Sequence, residues 1–352
     1  MRKTIILSFL LLLVGTLLGS RIQHWISHSN ELANEPTKTI SKKDTLVQEE
    51  VEEESTSDEH SQYGDWPDSV IAELKLMDSL LNEMDSIWQV PEEDYNKEEV
   101  YLEQVKSVES VDLISWKTTA PRAFKRHQLT FERVEDVYAF NEEYVKKLLL
   151  SKGINSYNLE MHLRAFKDEE ILEIWAKAKQ EKAYQLLLTY PFYKGYSDLG
   201  PKKREGDHQV PEGVYYIDYF NPTSSYKVSL RINYPNAADS IRNADEPFMG
   251  GAICIHGHFV SVGCLAITDL RIPNVYLLAT EAKDKGQEQI PVHVFPSRLT
   301  EQRMTELEKE YGHNREFIAL WKSMLPLYEH FERTHQIPKI TVTKEGTYVI
   351  KG

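Results

Sequence analysis

From His162 onward the chain breaks into short apolar runs separated by turn residues, and that alternation limits its fold more than any other feature. Residues 162–166, 171–177 and 184–190 read as strands parted by charged turns such as Lys167-Asp168-Glu169. Residues 213–220, 226–232, 252–255 and 292–295 continue the series. Between them stand Gly200-Pro201, Val210-Pro211-Glu212-Gly213, Asn221-Pro222 and Tyr234-Pro235-Asn236, where proline fixes φ and glycine takes conformations that other residues resist. The expected fold class is α+β: a mostly antiparallel β domain with helical N-terminal and C-terminal flanks.

Helical periodicity brackets these strands. Over residues 130–152, Phe131, Val134, Val137, Tyr138, Val145, Leu148 and Leu149 share one side, and Gly153 supplies the stop. A helix is expected over 270–285, two more over 301–311 and 314–333, and a hairpin pairing 339–342 with 347–350. Upstream, Asp68 suits an N-cap, and Val70, Leu74, Met77, Leu81, Met84 and Trp88 follow at spacings of four and three.

The N-terminus carries a different signal. Arg2 and Lys3 precede an apolar run over residues 5–18, a basic and apolar pattern that fits a secretory signal. The run is short for a membrane helix, which takes about 20 residues. Residues 1–20 are therefore read as a signal peptide or a signal anchor, and the protein as exported across a membrane. Residues 21–65 are polar and acidic: from 41 to 65 there are nine carboxylates against Lys42 and Lys43. So polar a stretch buries too little apolar surface to offset its chain entropy, and it is read as a disordered tether. The domain organisation expected thereafter is a helical accessory segment over 66–125, a helix and first strands over 126–182, the main β domain over 183–299, and a helical extension with hairpin over 300–352. The net charge of −14 argues against a nucleic-acid partner, which needs a basic face. No polar cluster has zinc-ligand spacing and no glycine pattern resembles a phosphate loop, so neither metal nor cofactor is expected.

Both cysteines of the chain lie in one stretch, Gly250-Gly251-Ala252-Ile253-Cys254-Ile255-His256-Gly257-His258-Phe259-Val260-Ser261-Val262-Gly263-Cys264-Leu265-Ala266. Strand alternation puts Ala252, Cys254 and His256 on one face and Ile253 and Ile255 on the other. His256 then ends the strand, and Gly257 and Gly263, both able to take positive φ, bracket a loop that must double back if His256 and Cys264 are to meet. An imidazole beside a thiol supplies thiolate, and a Gly-Cys turn presents the cysteine's own backbone N–H to a developing oxyanion. On spacing alone, the pair fits a buried cysteine and a strand-end histidine as well.

The surrounding residues resemble the L,D-transpeptidase catalytic family, often called YkuD-like, and more closely its YafK-like branch. His256-Gly257 with Ser261-Val262-Gly263-Cys264 is similar to the active-site motif. Gly200-Pro201-Lys202-Lys203, Glu205-Gly206-Asp207 and Val210-Pro211-Glu212-Gly213-Val214-Tyr215 resemble the upstream signature. Asn221-Pro222-Thr223-Ser224, Asn233-Tyr234-Pro235-Asn236-Ala237 and Ile290-Pro291-Val292-His293-Val294-Phe295-Pro296 are similar to later landmarks. The likeness covers about residues 125–299.

This resemblance implies an L,D-transpeptidase-like catalytic domain acting on peptidoglycan stem peptides. Cys264 would attack the carbonyl at the L-centre of a diaminopimelate residue and form a thioester, with His256 as general base and acid. The acyl group would pass to an amine, giving a cross-link or a link to a wall protein, or to water, which makes the enzyme a hydrolase of such links. A wall-binding module without turnover is the remaining alternative. Gly263, Gly257 and Ser261 would shape the loop and its oxyanion donors, and His258, Lys203 and Asp207 are candidates for substrate contact. Many relatives carry Arg two residues after the nucleophile, where Ala266 stands here. Cys254, in mid-strand without a glycine turn, is expected to pack in the core; a disulfide to Cys264 would silence the enzyme.

Overall fold

A computed structural model describes residues 108–351, all within one compact unit. The signal or anchor at 1–20, the tether at 21–65 and the periodic segment from Asp68 to Trp88 lie outside the described residues. Within them no helix is long and apolar enough to cross a membrane.

The described chain forms six helices and ten strands. Helices α1 (Ala123–Gln128) and α2 (Glu132–Ser151) lead into β1 (Leu159–Phe166), β2 (Ile171–Ala178) and β3 (Gln185–Pro191). After β4 (Gly213–Asn221) and β5 (Ser229–Ile232) come α3 (Ala237–Arg242), β6 (Cys254–His256) and β7 (Leu265–Ala266). Next are α4 (Ile272–Asp284), β8 (Ile290–Phe295), α5 (Glu301–Tyr311), α6 (Arg315–Thr334) and the pair β9 (Ile340–Val342) and β10 (Tyr348–Ile350).

One eight-stranded sheet has the order β3-β2-β1-β8-β4-β5-β6-β7. Its neighbours are antiparallel except β1 with β8 and β6 with β7. The β1–β8 pairing, with Leu163 opposite Val292, joins the 126–182 segment to the 183–299 segment in one sheet.

Period-two alternation assigns the two faces. Leu159, Met161, Leu163 and Ala165 of β1 join Val292 and Val294 of β8 in the main core, against α2 and α4. The intervening side chains meet α6 on the other face: the His162 ring lies 4.9 Å from that of Phe331. Arg164 there pairs with Glu173 of β2 and Glu332 of α6. Helix α4 is buried almost all round, as a helix between sheet and outer helices must be. Its buried Asp284 accepts from the backbone N–H groups of Arg122 and Lys125, at 2.8 and 2.9 Å, and so caps α1 from a distance in sequence.

The helix expected over 130–152 is α2, and Gly153 follows it at φ +74°. The helices expected over 270–285, 301–311 and 314–333 are α4, α5 and α6. Two short helices, α1 and α3, carry no sequence expectation, since six residues are too few for a periodic signal.

Candidate active site

The β5–β6–β7 edge of the sheet repeats the two-face pattern. Leu230, Ile232, Ile253 and Ile255 enter the core, while Ser229, Arg231, Cys254 and His256 take the opposite face. Register pairs Ser229 with His256 and Arg231 with Cys254.

The loop after His256 doubles back, but it returns as a strand parallel to β6. Ile255 is opposite Leu265 and His256 is opposite Ala266. Cys264 therefore comes level with Cys254, and His256 stands one step further along the same face. The backbone N–H of Cys254 points at the Cys264 sulfur, at 3.4 Å. The Cys254 thiol and the His256 imidazole are the side chains on this face that bear on the ionisation of Cys264. Both cysteines are free and only half-buried. This corrects the expectation that Cys254 packs in the core: its side chain lies on the sheet face opposite the core residues and is only partly buried.

Electrostatics separates the two sulfurs. The Cys264 thiol is held well below its ordinary range, first by the neighbouring Cys254 thiol; burial pushes the other way, and His256 and the Cys254 N–H add to the lowering. Cys254 is pushed well above that range, first by its bond to Cys264 and then by burial. Two adjacent thiols cannot both ionise cheaply, so one proton remains between them.

His256 is buried, with 4% of its surface exposed, and its ring stacks on Tyr226 at 4.7 Å between centroids. Its Nδ1 lies 2.5 Å from the carbonyl oxygen of Gly257. A carbonyl only accepts, so Nδ1 carries the proton and Nε2 presents the free lone pair. That leaves Nε2 as the nitrogen able to take a proton from a thiol.

Of the two bracketing glycines, Gly263 has φ +113°, and a Cβ there would stand 2.8 Å from the Gln209 carbonyl oxygen. Gly257 is not in the left-handed region. Its requirement is steric, for an added Cβ would lie 2.1 Å from Asp269 Oδ1. The positive φ falls one residue later, at His258, +60°. Ser261 closes the turn: its hydroxyl donates to the Cys264 carbonyl oxygen at 2.7 Å and accepts from the Gly263 N–H at 3.2 Å. The Gly263 N–H is thereby occupied, and the Cys264 N–H is the nearer candidate for an oxyanion.

The three candidates for substrate contact have partners of their own. The His258 N–H donates to Asp269 and its Nδ1 accepts from the Val260 N–H, at 2.8 and 3.2 Å, while its ring stacks on Phe259. Lys203 reaches Glu316 of α6. Asp207 accepts from the backbone N–H groups of Lys203, Arg204 and Gln209 and from Lys202 Nζ. Against the upward push of desolvation, these bonds hold its carboxyl below the usual range. Asp207 thus fixes the loop that ends at Gln209, against Gly263.

Sequence reasoning passed over Glu212 and Lys167. Buried together at 3.1 Å, they tie both ends of the 200–212 loop: Glu212 accepts from the Gly200 N–H and from Trp321 Nε1, and Lys167 donates to the carbonyls of Gly200 and Val210. Glu212 sits inside a motif, but nothing local shows that its partners lie in β1's turn and in α6. Among the described residues, no group of three or more His, Cys, Asp or Glu side chains is placed to hold a metal ion.

The edge of this mixed sheet thus sets two thiols level on the face that carries a tautomer-fixed imidazole. The chain belongs to the L,D-transpeptidase-like family: it is 33% identical over 192 residues to the L,D-transpeptidase-type protein YafK of Escherichia coli K12, covering 54% of this chain and 73% of that one. The YafK of E. coli O157:H7 gives the same values. No family model matches. Among solved structures, the helical cell shape determining protein Pgp2 of Campylobacter jejuni superposes with TM-score 0.32 at 17% identity, over 53% of this chain and 74% of that one. L,D-transpeptidase 1 of Mycobacterium tuberculosis gives 0.22 at 14% identity, over 39% and 62%. Superpositions this loose carry no argument about the site.

Proposed function

We propose that this protein is a peptidoglycan-modifying cysteine acyltransferase of the bacterial envelope, with Cys264 as nucleophile and His256 as general base and acid. The observation that carries the proposal is the register that sets Cys264 level with Cys254 on the face bearing His256, combined with a His256 Nδ1 already committed to the Gly257 carbonyl. Such an imidazole has one task left, which is to accept the thiol proton at Nε2.

In this scheme the Cys264 thiolate attacks the carbonyl at the L-centre of a diaminopimelate residue in a stem peptide. A sulfur–carbon bond forms, the amide C–N bond breaks, and the leaving amine takes the proton from His256. The Cys264 N–H receives the oxyanion, a contact worth roughly 3–4 kcal/mol. The thioester then passes to an amine, forming a cross-link or a link to a wall protein, or to water. The family membership supports this chemistry, and the basic and apolar start at residues 1–20 supports a place outside the cytoplasm.

The test uses the full chain and purified muropeptides that contain diaminopimelate. An intact-mass increase mapping to Cys264, lost in Cys264→Ala, is the expected result, and product masses identify amine or water as the acceptor. Absence of the adduct, or equal turnover by Cys264→Ala, overturns the assignment.

A further inference from the structure

We propose that Cys254 is a positioning residue for the nucleophile: its backbone N–H and its thiol together hold the Cys264 sulfur as a thiolate within reach of His256. The proposal deepens the function argued above and rests on it for the role of Cys264, but it is tested on ionisation rather than turnover.

The geometry begins with the parallel pairing of β6 and β7. Strands so paired run about 4.8 Å apart with residues in register on the same face, so the Cys254 and Cys264 side chains lie side by side. The Cys254 N–H reaches the Cys264 sulfur at 3.4 Å. Both sulfurs also approach a single acceptor, the Ala252 carbonyl oxygen, at 3.4 Å from Cys254 and 3.8 Å from Cys264. Ala252 has φ +55°, outside the strand conformation, and its carbonyl serves the sulfurs rather than a strand neighbour.

Consider the two ways of removing one proton from this pair. If Cys264 ionises, its sulfur keeps three donors: the Cys254 N–H, the Cys254 S–H and the imidazolium that received the proton. Hydrogen bonds to an anion are roughly twice as strong as neutral ones, so donors that gain little from a neutral thiol become effective. If Cys254 ionises instead, its sulfur has the Cys264 S–H in the same way, the Ser229 hydroxyl and the more remote charge of Arg231, but neither a backbone N–H nor the imidazolium. That guanidinium is already forked by the Asp218 carboxylate, at 2.9 and 3.1 Å. The Cys254 N–H points at the other sulfur and offers its own nothing. The charge therefore settles on Cys264 and the proton stays on Cys254. The opposite displacements of the two thiols from their ordinary ranges agree with this assignment.

The proton balance through a turnover is simple. Cys264 gives its proton to His256 Nε2, and His256 passes it to the leaving amine, while Cys254 keeps its proton throughout. When the thioester forms, the Cys254 S–H loses its anionic partner and retains the Ala252 carbonyl; when the thiolate is regenerated, the charged bond returns.

Holding a thiolate by hydrogen bonds has a mixed effect. It raises the thiolate fraction at low pH and lowers the reactivity of each thiolate. For each unit by which the thiol pKa rises in Cys254→Ala, the thiolate fraction at acidic pH falls about tenfold, while intrinsic reactivity rises about threefold. The variant is thus expected to be several-fold slower than the parent below the parent's midpoint and about threefold faster on the alkaline plateau. The two pH profiles cross.

The experiment measures iodoacetamide alkylation of Cys264 in the full chain, resolved by peptide mass spectrometry, between about pH 5 and pH 10, where thiolate reactivity is read directly. The parent, Cys254→Ala and Cys254→Ser are compared, with far-UV circular dichroism as the control of folding. Cys254→Ala raises the Cys264 midpoint and gives crossing profiles, and Cys254→Ser, which keeps an O–H donor, restores the midpoint in part. An unmoved midpoint, or a uniform loss of rate at every pH, overturns the proposal. If Cys254→Ala fails to fold, Cys254→Ser decides alone: a midpoint displaced from the parent's by a smaller amount than in His256→Ala upholds it, and an unmoved one rejects it. The two proposals fail separately. A displaced midpoint without any acyl adduct sinks the enzymatic assignment only, whereas an adduct formed with an unmoved midpoint sinks the role of Cys254 only.

Discussion

The Nδ1–H of His256 donates to the carbonyl oxygen of the next residue, Gly257, at 2.5 Å, so a bond within two residues fixes the tautomer of the ring. The Tyr226 ring stacked at 4.7 Å fixes its plane. A ring held in this way leaves little to rearrangement.

For that reason His256→Gln is expected to slow acyl adduct formation on Cys264 by about 10²- to 10⁴-fold, the range for loss of general acid–base catalysis. Stopped-flow or quenched mass spectrometry with muropeptides checks the value. A loss below about fivefold would place the proton transfer elsewhere.

Gly257→Ala introduces a methyl group 2.1 Å from Asp269 Oδ1 and 2.9 Å from the Tyr226 carbonyl oxygen. Asp269 would have to release the His258 N–H, and a loss of about 1–3 kcal/mol in stability is expected from overpacking. The double variant Gly257→Ala with Asp269→Ala should be less destabilised than the two single effects added together. Strict additivity in urea titrations would show that the carboxylate is not the obstacle.

The buried pair Lys167 and Glu212 closes the 200–212 loop from beneath. Burial pulls the Lys167 ammonium below its usual range, and Glu212 offsets that pull only in part. Lys167→Met leaves a carboxylate without its cation, and the cost for breaking a buried pair is about 3–5 kcal/mol. Lys167→Met with Glu212→Gln should recover much of it in chemical denaturation, because the stranded charge is gone. No recovery would mean that the loop's carbonyls, not the charge, need the lysine.

Acid stability should depend on the histidines beneath α6. His162 and His293 are buried with ring centroids 4.4 Å apart, beside Arg164, Tyr184 and Phe331. Burial holds His293 down to about 3, and it holds His162 well below the ordinary 6.5, with the neighbouring positive groups adding to both. A histidine depressed in the folded state takes its proton when the chain opens, so protons favour unfolding. Stability is therefore lost as pH falls below 6.5, at up to about 1.4 kcal/mol per pH unit for each such group. His162→Phe removes one of them, and its urea midpoint should fall less steeply between about pH 6.5 and pH 5. Parallel slopes in the two proteins would refute this.

Much of the fold was legible because its signals are local. Proline, asparagine and glycine turns marked the strand boundaries, and Gly153 ended α2 where expected. The glycine-framed stretch left Cys264 and His256 open between core packing and chemistry, and the resemblance of the surrounding motifs made them the candidates. The role given to Gly257 was less accurate, because conformational freedom and lack of space look the same in a sequence.

What residue order determined by itself was the longer helices, most of the strands and the candidate residues of the site, since propensity, alternation and turn stereochemistry act over a few positions. What the tertiary structure alone decided was register. The parallel return of β7 brings Cys264 level with Cys254, and the parallel union of β1 with β8 spans more than a hundred residues. Pairing partners across such separations are chosen by burial of whole faces, and ionisation follows from whichever donors that choice brings to the sulfur.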